Sequence, residues 1–193
     1  SYIKSKLQKK SKFMAVIKSD AYGHNLDSVA QDIDDLVDGF GVVRISEAKK
    51  IRKKSDKKIL LMQGIYTQEE LDDCKKFNFD QVVHNKDQFS LIQKNDFYNN
   101  LWLKINTGMN RLGFEVDEFM DIYKQYLFDK DFILMSHLAA SNDLGKDSNQ
   151  NQFKLFEEVS NSLHDNLKKS IANTGCIMNF PDKTFDWVRC GIG

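Results

Sequence analysis

Along the chain, apolar residues follow two alternating periods. Short β-rich runs recur at FMAVIK (13–18), FGVVRI (40–45), KILLMQ (58–63), FDQVVH (79–84), LWLKIN (101–106), FILMSH (132–137), KSIAN (169–173) and FDWVRCGI (185–192). Between them, apolar residues fall at helical spacing: Leu26, Val29, Ile33 and Leu36; Val116, Phe119, Met120, Tyr123 and Leu127; Phe156, Val159 and Leu163. Thr67 followed three residues later by Glu70 reads as a capping box, and Ser46 before EAKK reads as a helix N-cap.

Strands alternating with helices imply parallel pairing through right-handed crossovers. Eight such strands predict an α/β fold, a (β/α)8 TIM-like barrel, with a doubly wound open sheet as the alternative. The link TGCIMNFPDKT, between the seventh and eighth strands, reads as poorly helical. With one proline, Pro181, and no low-complexity linker, residues 1–193 read as one domain. The chain stops at GIG, on a strand end with no helix to cover it, which suggests a cut at a domain boundary.

Charge narrows the partners. Lys plus Arg and Asp plus Glu both number 28, so neither nucleic acid nor an anionic membrane is an expected partner. No apolar run is long enough to span a bilayer, and SYIKSKLQKK lacks the apolar core of a signal peptide, so a cytoplasmic location is expected. Cys74, Cys176 and Cys190 are far apart and read as free thiols, with no metal-ligand spacing among them.

In such a barrel the chemistry sits where the strands end. That rule selects Lys18 with the loop SDAYGH, Arg44, the loop NTGMNRLG, His137, Asn173 with Thr174, and Arg189 with GIG. A lysine closing an apolar strand is partly desolvated, which disfavours its ammonium form and makes it a candidate amine nucleophile toward an aldehyde.

Taken together, AVIKSDAYGHN, WLKINTGMNRLG, SHLAASND, ANTG and WVRCGIG, in this order, resemble the amino-terminal pyridoxal-phosphate barrel of alanine racemases. The likeness runs from about residue 12 to residue 193. It implies that Lys18 forms the internal aldimine with pyridoxal 5'-phosphate and serves as one of two racemisation bases. It further implies that Tyr22 helps hold the cofactor phosphate, with Asn173, Thr174, Gly191 and Ile192 completing that cradle. Arg111 would contact the cofactor's phenolic oxygen and the substrate side, and Lys104 aligns with a lysine often carbamylated in the family. His137 would lie beside the pyridine ring and bond to Arg189. An arginine opposite the pyridine nitrogen cannot accept its proton, so the ring is a weaker electron sink and racemisation is favoured over decarboxylation.

The resemblance implies an isomerase that interconverts L- and D-alanine for peptidoglycan, acting as a homodimer on a small amino acid. Its second base would be a tyrosine on a carboxyl-terminal β-domain, which this chain does not contain; the chain alone is expected to racemise poorly. Two other readings stay open, a single-domain pyridoxal-phosphate homeostasis protein and a fold-related amino-acid decarboxylase. Three positions depart from the family pattern: Asn106 stands where an aspartate is common, Thr174 where a serine is common, and Cys190 where a proline usually precedes the glycine. His24, Arg44 and His84 read as structural, His24 as the residue that orients the loop after Lys18.

Overall fold

A computed structural model describes residues 2–191, so Ile192 of the expected phosphate cradle lies outside the described residues. Eight strands occur among them: β1 (Lys12–Val16), β2 (Gly39–Val42), β3 (Lys58–Leu61), β4 (Asp80–Val83), β5 (Leu101–Lys104), β6 (Ile133–Met135), β7 (Lys168–Ser170) and β8 (Trp187–Cys190). All pair in parallel, in the order β7-β6-β5-β4-β3-β2-β1-β8. β8 thus lies beside β1, from Lys12↔Trp187 to Ala15↔Cys190. It also reaches β7, where Asp186 N donates to Lys169 O (3.1 Å) and Arg189 N to Ala172 O (2.9 Å). The sheet is a nearly closed barrel, and the open-sheet alternative is not what forms.

The helical elements are α1 (Lys18–Tyr22), α2 (Leu26–Ile33), α3 (Ile45–Arg52), α4 (Gln68–Phe77), α5 (Lys86–Lys94), α6 (Val116–Ile122), α7 (Asp147–Asn161) and α8 (Thr174–Asn179). The pleat divides each strand between two cores. Met14, Leu60, Val82, Trp102, Ile133, Met135 and Trp187 fill the barrel, and a larger apolar layer joins the outer strand faces to the helices. Toward the strands' amino-terminal ends, Trp102 and Trp187 lie with ring centroids 5.7 Å apart, and buried Asp80 accepts from Trp102 Nε1 (2.8 Å) and Lys58 Nζ (2.8 Å). Side-chain packing therefore plugs one end, and the chemistry collects at the other.

Four local expectations are corrected. The strands are shorter than their apolar runs, because residues such as Lys18, Arg44, His84, His137 and Asn173 have already turned out of the ladder at the mouth. Ser46 lies inside α3; the cap position is Arg44, where the Glu47 carboxylate accepts the backbone N–H groups of Val43 and Arg44. Leu36 falls on a 3-10 turn after α2 and is exposed. The link between β7 and β8 carries α8, its N-cap Asn173 accepting from Cys176 N at 3.0 Å. Thr67 does cap α4, accepting from Glu70 N, whereas the Glu70 carboxylate takes Tyr66 N. Cys74, Cys176 and Cys190 are buried free thiols. Among the described residues no helix is long and apolar enough to cross a membrane.

Candidate active site

A cavity of about 380 Å³ opens at the carboxyl ends of the strands, and Lys18, Tyr22, Lys104, Arg111, His137 and Arg189 all line it. Asn173, Thr174 and Gly191 contribute to the same wall. Apart from Ile192, the residues that the resemblance assigns to the cofactor site thus share one cavity.

Lys18 does not end β1. It opens α1, where Ser19, Asp20, Ala21 and Tyr22 all have φ near +55°, a left-handed turn closed by Gly23 at φ +89°. Consecutive non-glycine residues in this region are unfavourable, at roughly 1–2 kcal/mol each. The turn is held by Asp20, whose Oδ1 accepts Leu26 N (2.9 Å) and whose N–H donates to Glu47 Oε1 (3.1 Å). His24 is exposed and joins the turn only through its backbone N–H, bonded to Ala21 O, so the loop is oriented by Asp20 instead.

Arg111 rides on a loop that returns to β5: Phe114 N donates to Lys104 O (2.9 Å) and Asn106 N to Phe114 O (2.8 Å). Asn106 organises this loop. Its Oδ1 accepts from Gly108 N and Asn110 N, and its Nδ2 donates to Asn110 Oδ1 and to Glu115 Oε1 (2.8 Å). An ionised aspartate has no donor for Glu115, so the amide suits this loop. At Gly113, φ is +131° and an added Cβ would sit 2.6 Å from Asn106 N, so only glycine fits the turn.

Arg189 is buried at the centre. Its guanidinium donates to Ser170 Oγ and Ser136 O, with His137 Nδ1 at 3.4 Å from Nη2, whereas its Nε has no partner. Among the described residues, Lys18, Lys104, Arg111 and Arg189 enter no ion pair and no carboxylate lines the cavity. The consequences are electrostatic. Burial, reinforced by Arg189 and Arg111, pushes Lys104 down to about 8. Burial and the surrounding cations hold His137 down to about 3, so it is neutral at pH 7. Burial also lowers Arg189 to about 10, still far enough above neutrality to leave it a cation.

In one corner Gly191 N donates to Thr174 Oγ1 (3.2 Å), and a Cβ on Gly191 would come within 2.6 Å of Tyr22 Oη. Two hydroxyls therefore meet a bare stretch of backbone. Thr174 Oγ1 also lies 3.5 Å from Cys190 Sγ. Sequence reasoning did not select Asn142 or Gly175, which line the cavity, nor Ser136 and Ser170, which hold Arg189. Asn142 and Ser136 had a signal, in the SHLAASND motif, and Gly175 in ANTG; Ser170 sits within an apolar run and carries none. Arg44 and His84 stay outside this cavity. His84 is buried, with Nε2 3.1 Å from Gln63 O.

The family model described as "Alanine racemase, N-terminal domain" matches residues 1–193. The chain belongs to that family. An alanine racemase from Vesicomyosocius okutanii is 39% identical over 186 residues, covering 94% of this chain and 52% of that protein. The alanine racemase structure from Acinetobacter baumannii superposes with a TM-score of 0.91 at 27% identity, over 98% of this chain and 57% of that one. The alanine racemase structure from Bartonella henselae, described with covalently bound pyridoxal phosphate, has a TM-score of 0.87 at 25% identity, over 99% of this chain and 58% of that one. The chain spans about half the length of the curated relatives it matches.

Proposed function

We propose that this chain is the cofactor-holding half of a pyridoxal-phosphate-dependent alanine racemase. The observation that carries the reading is Arg189, a fully buried cation whose Nε lacks an acceptor in a cavity without carboxylates. Such a cavity fits a molecule with a phosphate, a phenolate oxygen and an unprotonated ring nitrogen. The donor set matches: the Thr174 and Tyr22 hydroxyls beside the bare Gly191 backbone for the phosphate, Arg111 for the phenolate, and Arg189 Nε for the nitrogen.

When bound, pyridoxal phosphate supplies an aldehyde that captures the amino group and a conjugated ring that draws charge from the α-carbon. Lys18 Nζ is the amine that would hold the cofactor's aldehyde carbon, and on its own face it would take or return the α-proton. Arg189 Nε would donate to the ring nitrogen, which a guanidinium does not protonate. His137, neutral at pH 7, offers Nδ1 to Arg189 and fixes the guanidinium plane. The neutral amine of Lys104 is the form that would add CO2: Nζ would bond to the carbon, one proton would leave to water, and the carbamate anion would sit among the cations Arg111 and Arg189. The opposing proton donor is expected from a tyrosine of a carboxyl-terminal β-domain across a homodimer, with L- and D-alanine as substrates. A decarboxylase would want an acid opposite the ring nitrogen, and the cavity has none.

Titration with pyridoxal phosphate, borohydride reduction and peptide mapping test the reading. A cofactor-sized mass on Lys18, absent from Lys18→Ala, is expected. Labelling scattered over surface lysines would overturn it.

A further inference from the structure

α7 carries a chemical oddity on its inward face. Phe153, Phe156 and Val159 pack into the core there, yet Asn149 and Gln152 are as fully buried, 0% and 1% exposed. A buried primary amide is costly unless bonded, so where those bonds go is informative. Those of Gln152 converge on the cavity. Its Nε2 donates to Thr107 Oγ1 (3.1 Å) and to His137 O (3.0 Å), and its Oε1 accepts from Ala139 N (2.9 Å).

Each partner leads to a cavity residue. Thr107 opens the loop that carries Arg111, and its hydroxyl lies 2.7 Å from Ser136 Oγ. Ser136 Oγ in turn bonds to Ile105 O (3.0 Å), and the Ser136 carbonyl accepts from Arg189 Nη2 (2.6 Å). One amide therefore ties the Arg111 loop, the backbone of His137 and, one step on, the guanidinium of Arg189.

We propose that Gln152 is a positioning residue: it touches neither cofactor nor substrate, and sets Arg111, His137 and Arg189 at mutual distances that fit the cofactor. The inference rests on the cofactor-binding reading above. Its chemical basis is that glutamine supplies two donors and one acceptor in a plane, and all three sites are used. Glutamate keeps the Ala139 N contact but donates nothing to Thr107 or His137; methionine fills the volume and bonds to none of the three.

The test compares Gln152→Met and Gln152→Glu with Phe156→Leu, a core change one turn along the same helix that leaves these bonds alone. The readouts are the NMR signals of the His137 ring and of the Thr107, Gly108 and Ala139 amides without cofactor, the urea midpoint, and pyridoxal-phosphate affinity. Gln152→Met is expected to move those signals and weaken cofactor binding about tenfold, the scale of one lost buried hydrogen bond. Gln152→Glu should retain the Ala139 signal and shift those of Thr107 and His137. Phe156→Leu should lower the midpoint by a similar amount with the affinity unchanged.

The proposal is overturned if Gln152→Met leaves the signals in place, or if both helix variants lose affinity in step with the midpoint. Absence of cofactor binding by the unaltered chain would refute the cofactor reading instead, and the NMR comparison would still decide whether Gln152 orders the Arg111 loop and the His137 segment.

Discussion

Replacing Lys104 with methionine should stabilise the cofactor-free chain, by an amount that depends on pH. Lys104 is 5% exposed, and burial beside Arg189 and Arg111 lowers it from 10.5 to about 8. In the unfolded chain a lysine holds its proton up to its ordinary value; in the fold this one releases it near 8. Between those limits the unfolded state binds more protons, so stability rises with pH from about 8 to about 10.5. Below that window the whole penalty is present, about 3 kcal/mol at 1.36 kcal/mol per unit. Lys104→Met removes the ammonium and keeps most of the volume, so near pH 7 it should gain up to about 3 kcal/mol, roughly 6–12 °C in Tm for a chain this size.

The assay is urea unfolding of both proteins from pH 6 to 10.5 in CO2-free buffer. The gap should be widest below pH 8 and close as the pH rises. Added bicarbonate should stabilise the unaltered chain more than the variant, because a carbamate on Lys104 would place an anion among these cations. A gap of constant size at every pH would refute the reasoning, since a packing effect has no titration.

Other predictions follow from the same geometry. Gly191→Ala places a Cβ 2.6 Å from Tyr22 Oη, the end of a side chain that can swing away, so the fold should survive. Pyridoxal-phosphate binding by Gly191→Ala, followed by fluorescence titration, should weaken about tenfold or more, the equivalent of one or more lost hydrogen bonds. His137 is lowered from 6.5 to about 3, so the unfolded chain binds the extra proton in that range and stability falls as pH drops through it. In acid melts His137→Asn should lose stability less steeply than the unaltered chain between pH 6.5 and 3, with the two slopes alike above that range.

The barrel was legible because strands buried on both faces read as near-continuous apolar runs, and eight of them alternate with helical spacing. Where each strand stops was less legible. Ile17, Ile45 and Ile105 extend the runs by composition, but each lies beyond the last residue of its strand, where the backbone turns to build the mouth. Strand order could only be expected, because the pairing of Lys12 with Trp187 joins opposite ends of the chain. The site residues were found through motifs whose polar members stand at strand ends. Gln152 escaped for the opposite reason. A glutamine on a helix ordinarily faces solvent, and only the loops folded over α7 bury it. Nor does SDAY, without glycine, announce four residues of left-handed backbone.

That turn and the unpaired cations work in the same direction. Ser19 to Tyr22 hold strained dihedrals, and Lys104 and Arg189 are buried without carboxylates, so the cavity itself lowers the stability of the chain that forms it. The surrounding apolar layers must offset both. A dianionic phosphate and a phenolate placed among these groups would relieve the repulsion and give Arg189 Nε the acceptor it lacks. At a hundred times its Kd any such ligand adds about 2.7 kcal/mol by mass action. Lys104→Met should raise the stability of the empty chain while removing a cation from the cavity, and the increment on adding cofactor should shrink with it. Stability and cofactor response moving in opposite directions is the signature of charge held for a ligand; a lysine held for packing would lower both.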